Sequence, residues 1–247
     1  RFCRRPQIEG YCSQTSYTAG DTLDLFISTD PSAQYTIHIY RMGYYQGKGG
    51  HLKKSIGPLQ GQAQQMPAPD PKTNFFECKW QSSYRLPIPD NWVSGVYLCK
   101  LTTIPDRFQS YIIFIIRDDR KADFIFQCSD LTWQCYNRWP YWHSMYDEGH
   151  TPWINTNGAK VSFDRPYALY VNELPSGFNK LSNGSGEFLL WEYPLSFWME
   201  KEGYDVTYIS NIDTHSDGEG LLRSKGFISV GHDEYWTKDM FNNVVNA

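Results

Sequence analysis

The residues best suited to chemistry lie in one short run near the carboxyl end of the chain, GHDEYW at residues 231–236. This run places an imidazole, two carboxylates and a phenol directly after an apolar stretch at residues 227–230. A free imidazole has a pKa of about 6.5, so a histidine in this run is suited to exchanging a proton at neutral pH. Two structural alternatives stay open, since Asp233 could cap a following helix and His232 could be a hydrogen-bonded core imidazole.

Two further polar runs follow apolar stretches of the same kind. Ser129 and Asp130 come directly after residues 122–128, and the polar run 211–213 comes directly after residues 206–210. In open α/β sheets, ligands gather beyond the carboxyl ends of parallel strands. We therefore expect the three polar runs to meet at one edge of a parallel sheet and to form a site there.

Two segments rich in aromatic and polar residues, 132–137 and 161–167, lie between the first two of these stretches. Such rings also pack well in protein cores, and Asp164 with Arg165 could be a simple surface pair. The sequence contains no G-x-S-x-G, G-x-G-x-x-G or P-loop pattern, so serine hydrolase, dinucleotide-binding and nucleotide-hydrolysing functions lose their usual support. Spacing alone leaves the reaction open.

The elements that must position these residues begin with a sheet-rich front half. Between Thr22 and Arg117, apolar and polar residues alternate in short segments separated by turns, which is typical of an antiparallel sandwich. The predicted strands are 22–29, 34–41, 94–101 and 109–117. We expect an immunoglobulin-like β-sandwich over residues 1–118, with residues 57–72 as a long exposed loop.

The back half changes to an alternation of strands and helices after the charged residues 117–120. The pattern predicts strands at 122–128, 206–210 and 227–230, and helices at 193–202 and 238–247. We therefore predict a parallel α/β domain over residues 119–247. Doubly wound domains usually have about five strands or more, so we expect this domain to be incomplete at its carboxyl end. Further polypeptide should complete it, and its exposed sheet edge favours an oligomer.

Composition and charge exclude several classes of protein. Hydrophobic residues make up 40% and aromatic residues 17% of the chain, which is typical of a folded protein. The formal charge of −4 provides no basic field for nucleic acids or anionic membranes. The longest apolar run, residues 111–116, is too short to span a bilayer. We expect a soluble protein that binds neither nucleic acid nor membrane.

The six cysteines indicate a structural role, because none of them has a C-x-x-C or mixed cysteine–histidine spacing. They are either disulfides or buried thiols, and the candidate pairs are Cys3–Cys12, Cys78–Cys99 and Cys128–Cys135. The chain begins without Met or an apolar leader, and residues 183–185 form an N-x-S sequon. We expect a processed, secreted or periplasmic protein, with a cytoplasmic location as the alternative.

Several motifs in a fixed order carry a resemblance to a known family. The back half contains TWQCYN at 132–137, SFDRPY at 162–167, GYDV at 203–206 and GHDEYW at 231–236. Together with RMGYYQG at 41–47 and NWVSGVY at 91–97, these motifs resemble the N,N-dimethylformamidase large (β) subunit family. The resemblance implies a metal-dependent hydrolase of C–N bonds in a small amide. It also implies that the α/β domain is similar to class I glutamine amidotransferases.

The resemblance further implies a mononuclear iron held by Tyr136, Tyr167 and Glu234, with His232 beside it. Phenolate and carboxylate oxygens are hard donors that suit ferric iron. Such a metal polarises an amide carbonyl and lowers the pKa of a water molecule, while His232 exchanges a proton with the leaving amine. Asp233 and Asn137 would orient these groups.

Two other functions stay open. In the first, a secreted carbohydrate-binding, partner-binding or structural module without catalysis uses exposed rings to stack on sugars, namely Trp139, Tyr141, Trp142 and Trp153. In the second, Cys128 or Cys135 is the nucleophile of a hydrolase related to the glutamine amidotransferases. The chain departs from the family pattern in carrying cysteines such as Cys99 and Cys135, which favours an oxidising compartment.

Overall fold

The computed structural model describes residues 7–147, 160–168 and 183–247. Within these ranges the protein is a mixed α/β structure with three β-sheets, two in the front half and one in the back half. The predicted change to parallel pairing is confirmed and falls between Ile116 and Ala122. No helix in these ranges is long and apolar enough to cross a bilayer. Cys3 and Trp153, which figure in the predictions above, lie outside the described residues.

Two sheets form the front half. Their strands, in chain order, are β1 Ile8–Cys12, β2 Ser16–Tyr17, β3 Thr22–Thr29, β4 Gln34–Met42, β5 Gly50–Gln60, β6 Tyr84–Pro87, β7 Gly95–Ile104 and β8 Gln109–Ile116. One sheet has the order β1-β3-β6 and the other has the order β2-β8-β7-β4-β5. The pairs are antiparallel except for the short pair of β2 with β8. The four predicted strands are confirmed as β3, β4, β7 and β8.

The facing sides of these two sheets enclose one apolar core. Leu23, Leu25 and Ile27 of β3 belong to the same buried cluster as Ile37 and Ile39 of β4. Side chains of a strand alternate between its two faces, so every second residue enters the core. Burying one such side chain contributes roughly 1.5–3 kcal/mol relative to leaving it exposed. The alternation seen in the sequence is therefore sufficient reason for this packing.

The predicted loop over residues 57–72 is wrong at its start, because β5 continues to Gln60. β5 is the edge strand of its sheet, and its side chains are exposed or half-buried. It therefore lacks the alternation of apolar and polar residues by which central strands are recognised.

A parallel sheet with helices forms the back half. Its strands are β9 Ala122–Cys128, β10 Val206–Ser210 and β11 Ser224–Ser229, in the order β10-β9-β11. Its α-helices are α1 Asp130–Tyr136, α2 Tyr193–Lys201, α3 Asn211–Ser216 and α4 Lys238–Asn246, and a π-helical turn at Phe188–Glu192 leads into α2. The predictions of β9, β10, α2 and α4 are confirmed. The third strand begins and ends earlier than predicted, at Ser224 and Ser229.

The five-stranded sheet of the front half is apolar on both of its faces. Tyr97 and Cys99 of β7 belong to the core between the two antiparallel sheets. Val96 and Leu98 of the same strand belong to a second core, which includes Phe126 of β9. One strand therefore takes part in both cores, and the back half packs directly on the front half.

A buried ion pair also joins the two halves. The guanidinium of Arg41 donates from Nη2 to Glu200 Oε1 of α2 at 2.9 Å and to the Ser94 carbonyl at 2.8 Å. Glu200 also accepts from the Tyr44 backbone N–H at 3.1 Å and from the Tyr208 hydroxyl at 3.2 Å. The motifs RMGYYQG and NWVSGVY therefore supply contacts between the halves.

The predicted disulfides between described cysteines are not formed. No disulfide is formed among Cys12, Cys78, Cys99, Cys128 and Cys135. Cys78 lies in a small aromatic cluster, whereas Cys99 lies in the core between the antiparallel sheets. Cys128 ends β9 within the second core, whereas Cys135 is on α1. These side chains fill space as small apolar groups, which is the alternative that the sequence leaves open.

Candidate functional site

The ends of the three parallel strands meet at one carboxylate, Asp233. Its Oδ2 accepts hydrogen bonds from Gln127 Nε2 of β9 at 2.7 Å and from Ser229 Oγ of β11 at 2.6 Å. Its Oδ1 accepts from Asn211 Nδ2, which follows β10, at 3.2 Å. The expectation that the polar runs converge at one sheet edge is thereby confirmed.

A second carboxylate, Asp130, holds two of these strand ends together. Asp130 Oδ1 accepts from the Asn211 backbone N–H at 2.6 Å, and Asn211 Oδ1 accepts from the Leu131 N–H at 3.0 Å. Asp130 is fully buried, and burial raises the pKa of its carboxyl group to about 7. Because its hydrogen-bond partner is the Asn211 backbone N–H, Asp130 stabilises the polypeptide that carries the site.

Asp233 does not cap the last helix, which was one alternative for it. Thr237 has that role, since its side chain accepts a hydrogen bond from the Met240 N–H at 3.1 Å. Asp233 is separated from α4 by four residues and is bonded to the sheet instead. The loop from Gly231 to Trp236 is therefore fixed by its aspartate rather than by the helix that follows it.

Tyr136, His232 and Glu234 lie together at this sheet edge. The Tyr136 hydroxyl donates a hydrogen bond to Glu234 Oε1. His232 Nε2 is 3.5 Å from Glu234 Oε2, and the rings of His232 and Tyr136 have centroids 4.6 Å apart. Burial, followed by the Glu234 carboxylate and Tyr146, raises the pKa of Tyr136 above its ordinary value. Three of the predicted site residues are therefore close enough to act on one bound group.

The backbone next to Glu234 is held by α1. Thr132 Oγ1 accepts from the N–H groups of Glu234 and Tyr235 at 3.1 and 3.3 Å. Tyr136 is one turn further along the same helix, so α1 positions both members of the Tyr136–Glu234 pair. This helix is absent from the sequence prediction because it is only seven residues long and is buried along most of its length.

The remaining nitrogen of His232 contacts a carboxylate that the sequence analysis did not identify. His232 Nδ1 is 3.0 Å from Glu187 Oε2, and Glu187 is only 2% exposed. Glu187 directly precedes the π-helical turn Phe188–Glu192. No spacing pattern joins residues 45 positions apart, and the only local signal is a carboxylate beside an apolar run.

Asn137 acts on the polypeptide that carries Tyr167. Its Nδ2 donates to the Pro166 carbonyl at 2.9 Å, and its Oδ1 accepts from the Ala168 N–H at 2.8 Å. The side chain thereby binds the residues on both sides of Tyr167. Asn137 orients a neighbouring segment, as predicted for it, but does so through the backbone.

Tyr167 lies beside Tyr136 but in a different environment. Tyr136, Asn137, Tyr167 and Glu187 all line one shallow pocket. Burial raises the pKa of Tyr167 well above its ordinary value, and the carboxyl group that adds most to this effect is Asp130. Glu234 has the corresponding effect on Tyr136 and Tyr146. The structure therefore places Tyr136, rather than Tyr167, in direct contact with Glu234.

Arg165 is a buried support and not half of a surface pair. It is 2% exposed, and its guanidinium donates to the backbone carbonyls of Gln134, Trp139 and Ser162 at 2.8, 2.5 and 3.1 Å. Burial lowers its pKa to about 10. Arg165 thus fixes the SFDRPY segment against the end of α1, and its burial could not be read from the sequence.

The cysteine alternative is disfavoured by the environment of both thiols. Burial raises the pKa of Cys128 well above its ordinary value and that of Cys135 to about 12. A nucleophilic cysteine requires the opposite shift, because the thiolate is the reactive form. These two side chains are therefore suited to packing.

The predicted aromatic surface is wrong in one residue. Trp139 is 4% exposed and donates from Nε1 to Glu9 Oε2 at 2.8 Å, so it belongs to the interior. Tyr141 is 57% exposed, and Trp142 is half-buried with Arg138 over its ring. Of the predicted stacking rings that the structure describes, Tyr141 and Trp142 remain available.

The oxygen donors at this edge determine what metal chemistry it could support. The described residues contain no group of three or more His, Cys, Asp or Glu side chains arranged to hold a metal ion. A metal here would therefore depend on phenol oxygens as well as on Glu234. Tyr136, Tyr146 and Tyr167 are the phenols near the site.

The fold and the site define a class, a mixed α/β protein with an oxygen-rich polar site at the carboxyl edge of a parallel sheet. The sequence profile described as N,N-dimethylformamidase beta subunit-like, C-terminal, matches residues 36–247, and the chain belongs to this family. No curated protein matches the chain. The family resemblance is thereby confirmed, and at a coarse level membership is consistent with an amide hydrolase.

Proposed function

We propose that this protein hydrolyses the C–N bond of a small amide at the edge formed by Tyr136, His232 and Glu234. The observation that carries the proposal is the contact of all three side chains within a chain of this family. An imidazole beside a carboxylate can accept and return a proton. Tyr136 also lines a shallow pocket next to this edge, where a small amide could approach the three side chains.

We further propose that the site uses ferric iron, with Tyr136, Tyr167 and Glu234 as the ligands. The donor set fits this group, because the Tyr136 phenol is hydrogen-bonded to the Glu234 carboxylate and both are hard oxygen donors. Tyr167 supplies a second phenol from the wall of the same pocket. When bound, the iron would act as a Lewis acid toward the amide carbonyl.

The side chains of the protein divide the remaining tasks. His232 is the proton carrier, because its Nε2 faces the site beside Glu234. Asp233 holds the loop of His232 and Glu234, while Asn137 and Arg165 hold the segment of Tyr167. A rigid set of this kind lowers the cost of orienting a substrate.

Metal analysis of protein purified without chelator tests the proposal, together with hydrolysis of N,N-dimethylformamide. Ferric phenolates absorb visible light, so iron-containing protein should be coloured and should bleach in Tyr136→Phe and Tyr167→Phe. Tyr146→Phe is the matched control, since this phenol stacks on Tyr136 with centroids 4.9 Å apart. Colourless, iron-free protein with full amidase activity would exclude the iron. Loss of iron in Tyr146→Phe but not in Tyr167→Phe would change the ligand set.

A binding module without catalysis is the second candidate function. Its support is the exposed ring of Tyr141 beside the half-buried Trp142. Sugars stack on such rings and perturb tryptophan fluorescence. Titration with a panel of oligosaccharides, in wild type and in Tyr141→Ala, separates this function from amide hydrolysis.

Our proposal extends to the finer architecture. We infer an immunoglobulin-like sandwich over residues 1–118 and an amidotransferase-like domain over residues 119–247. Further polypeptide would complete the second domain, and an oligomer would cover its edges. The support is that β10 and β11 each pair only with β9 among the described strands, and that Phe241 and Val245 of α4 are exposed. Light scattering coupled to gel filtration gives the mass of the native assembly.

Location stays a separate proposal. Secretion or export to the periplasm remains our expectation, with the cytoplasm as the alternative. The five described cysteines form no disulfide with one another, which removes the disulfide argument for an oxidising compartment. Fractionation of cells that express the native gene, with detection by antibody, decides between these locations.

A further inference from the structure

We propose that Glu187 is a positioning residue that fixes the ring orientation and the tautomer of His232, with the proton on Nδ1 and the lone pair on Nε2. The ring then presents its basic nitrogen to Glu234. The structural part of this inference is independent of any reaction. Its catalytic consequence rests on the proposed amide hydrolysis.

Three neighbours determine the position of the imidazole. Glu187 Oε2 is 3.0 Å from Nδ1, Glu234 Oε2 is 3.5 Å from Nε2, and the Tyr136 ring lies beside the imidazole at 4.6 Å between centroids. The Glu187 contact has ordinary hydrogen-bond length, whereas the Glu234 contact is at the limit. Nδ1 is therefore the nitrogen that is engaged, and Nε2 is the one left for chemistry.

Each member of the Glu187–His232 pair directly follows a glycine that lets its segment approach closely. Gly186 has φ +57°, and a Cβ there would come within 2.7 Å of the Trp133 ring. Gly231 has φ +70°, and a Cβ there would come within 2.6 Å of Trp191 Cβ. Both positions therefore favour glycine for conformation and for space. The close approach of Gly231 to Trp191 brings the segment of His232 against the turn that follows Glu187.

The backbone that carries Glu187 is itself fixed. The Glu187 carbonyl accepts from the N–H groups of Leu190 and Trp191 at 3.0 and 3.1 Å, which starts the π-helical turn Phe188–Glu192. Phe188, the next residue, is fully buried in the second core. Irregular turns of this type occur frequently at functional sites. A rigid carboxylate can hold a ring in one orientation, whereas a mobile one cannot.

The chemistry of the contact selects the tautomer. A carboxylate has only acceptor oxygens, so it stabilises the imidazole that carries its proton on the facing nitrogen. Partners of this kind set ring orientation and basicity at other histidine sites. A glutamine at position 187 could instead donate from its amide, so Glu187→Gln would no longer impose the Nδ1–H form.

Long-range ¹H–¹⁵N correlation spectra of the full chain test this inference directly. Any paramagnetic iron is first exchanged for Ga³⁺, and the His232 signals are assigned among the six histidines by their loss in His232→Gln. We expect wild type to show protonated Nδ1 and unprotonated Nε2 at a pH where the ring is neutral. Glu187→Gln should give the opposite tautomer or a mixture, and Glu187→Asp should partly retain the wild-type form.

Glu192→Gln is the matched control. Glu192 is also buried, but it accepts from the Ser129 N–H and the Trp133 indole instead of contacting His232. We expect this variant to keep the wild-type tautomer. A wild-type spectrum with protonated Nε2 overturns the proposal without any variant, and so does an unchanged tautomer in folded Glu187→Gln.

Kinetics provide the second readout and separate this inference from the proposed function. If the protein hydrolyses amides, Glu187→Gln should lower kcat by about 10- to 100-fold and change KM by less than about 2-fold. A loss confined to KM contradicts the positioning role. If wild type has no amidase activity but its tautomer depends on Glu187, the proposed function fails while the positioning role holds.

Discussion

The two halves of the molecule differ in how their buried carboxyl groups and other buried charges are hydrogen-bonded. In the front half, Glu9 and Arg41 are buried, and each is bonded to a group of the back half, Trp139 and Glu200 respectively. In the back half, three carboxyl groups are buried near the sheet edge, and one oxygen of each has no hydrogen-bond partner among the described atoms. These groups are Asp130, Glu187 and Glu192.

This difference indicates where buried charged groups lower the stability of the fold. A buried polar atom without a partner costs about 1–3 kcal/mol, and a buried charge costs more. The buried charges of the front half, Glu9 and Arg41, avoid this cost because each is hydrogen-bonded to a group of the back half. In the back half, the unpaired carboxyl oxygens carry this free-energy cost within one small region. Such a local cost is expected where polar groups are positioned for a ligand or a reaction.

The largest effect on stability should come from breaking the Arg41–Glu200 ion pair, which joins the two halves. Arg41→Ala removes the cation from the half-buried Glu200 and the donor from the Ser94 carbonyl, so we expect the free energy of unfolding to fall by about 3–5 kcal/mol. Urea denaturation measures this loss. Arg85→Ala is the control, because Arg85 pairs with Asp24 on the surface and should change stability by less than about 1 kcal/mol. Equal losses in the two variants would contradict the role given to Arg41.

The second effect separates framework from chemistry within the GHDEYW run. Asp233→Ala removes the acceptor of Gln127, Ser229 and Asn211, so we expect a loss of about 2–3 kcal/mol in stability together with reduced activity. Glu234→Ala should abolish metal binding and activity while changing stability by less than about 1 kcal/mol, because Glu234 is exposed. A stable, metal-free Asp233→Ala protein would reverse these assignments.

The third effect concerns the pH dependence of stability in the back half. Burial raises the pKa of Asp130 to about 7 and that of Glu192 to about 8, whereas both are near 4 in an unfolded chain. The folded state therefore binds more protons over this range, and the stability from these groups falls as pH rises from about 4 toward 8. The expected slope is roughly 1 kcal/mol per pH unit for each group.

Urea midpoints measured from pH 5 to pH 8 test this slope, and Asp130→Asn should flatten it. An isosteric amide cannot ionise, so the variant should be more stable relative to wild type at pH 8 than at pH 5. The same slope in wild type and in the variant would show that Asp130 does not titrate in this range.

The smallest effect is expected at the start of the last helix. Thr237→Ala removes the acceptor for the Met240 N–H and should cost about 1 kcal/mol, whereas Thr237→Ser should cost only a few tenths. Thermal unfolding of the two variants provides the comparison. If Asp233→Ala lowers helix content and Thr237→Ala does not, the cap has been assigned to the wrong residue.

The sequence predicts those elements whose burial is one-sided and regular. β3, β4, β7 and β8 alternate because one face of each enters a core, so the pattern of apolar residues predicts them. β5 at the edge has no such pattern. α1 is buried along most of its length, and its polar residues Asp130, Thr132 and Gln134 are buried as well, so the sequence shows no apolar face opposite an exposed polar one.

The sequence predicts some members of the site and not others. Tyr136, His232 and Glu234 are predicted by ordered motifs, and the structure brings them together. Glu187 is not predicted, because its role depends on a contact across 45 residues. Arg165 is misjudged, because a charged residue next to Asp164 resembles a surface pair until its burial is known.

The sharing of β7 between two cores limits how this protein can be divided. A fragment that ended at residue 118 would expose Val96, Leu98, Ile113 and Ile115, which the back half covers in the intact chain. Such a fragment should self-associate through this uncovered apolar face. The complementary fragment would lack the apolar side chains against which its parallel sheet packs. The boundary at residues 118 and 119 therefore marks a change in strand pairing, and a soluble excised half would require new polar residues on that face.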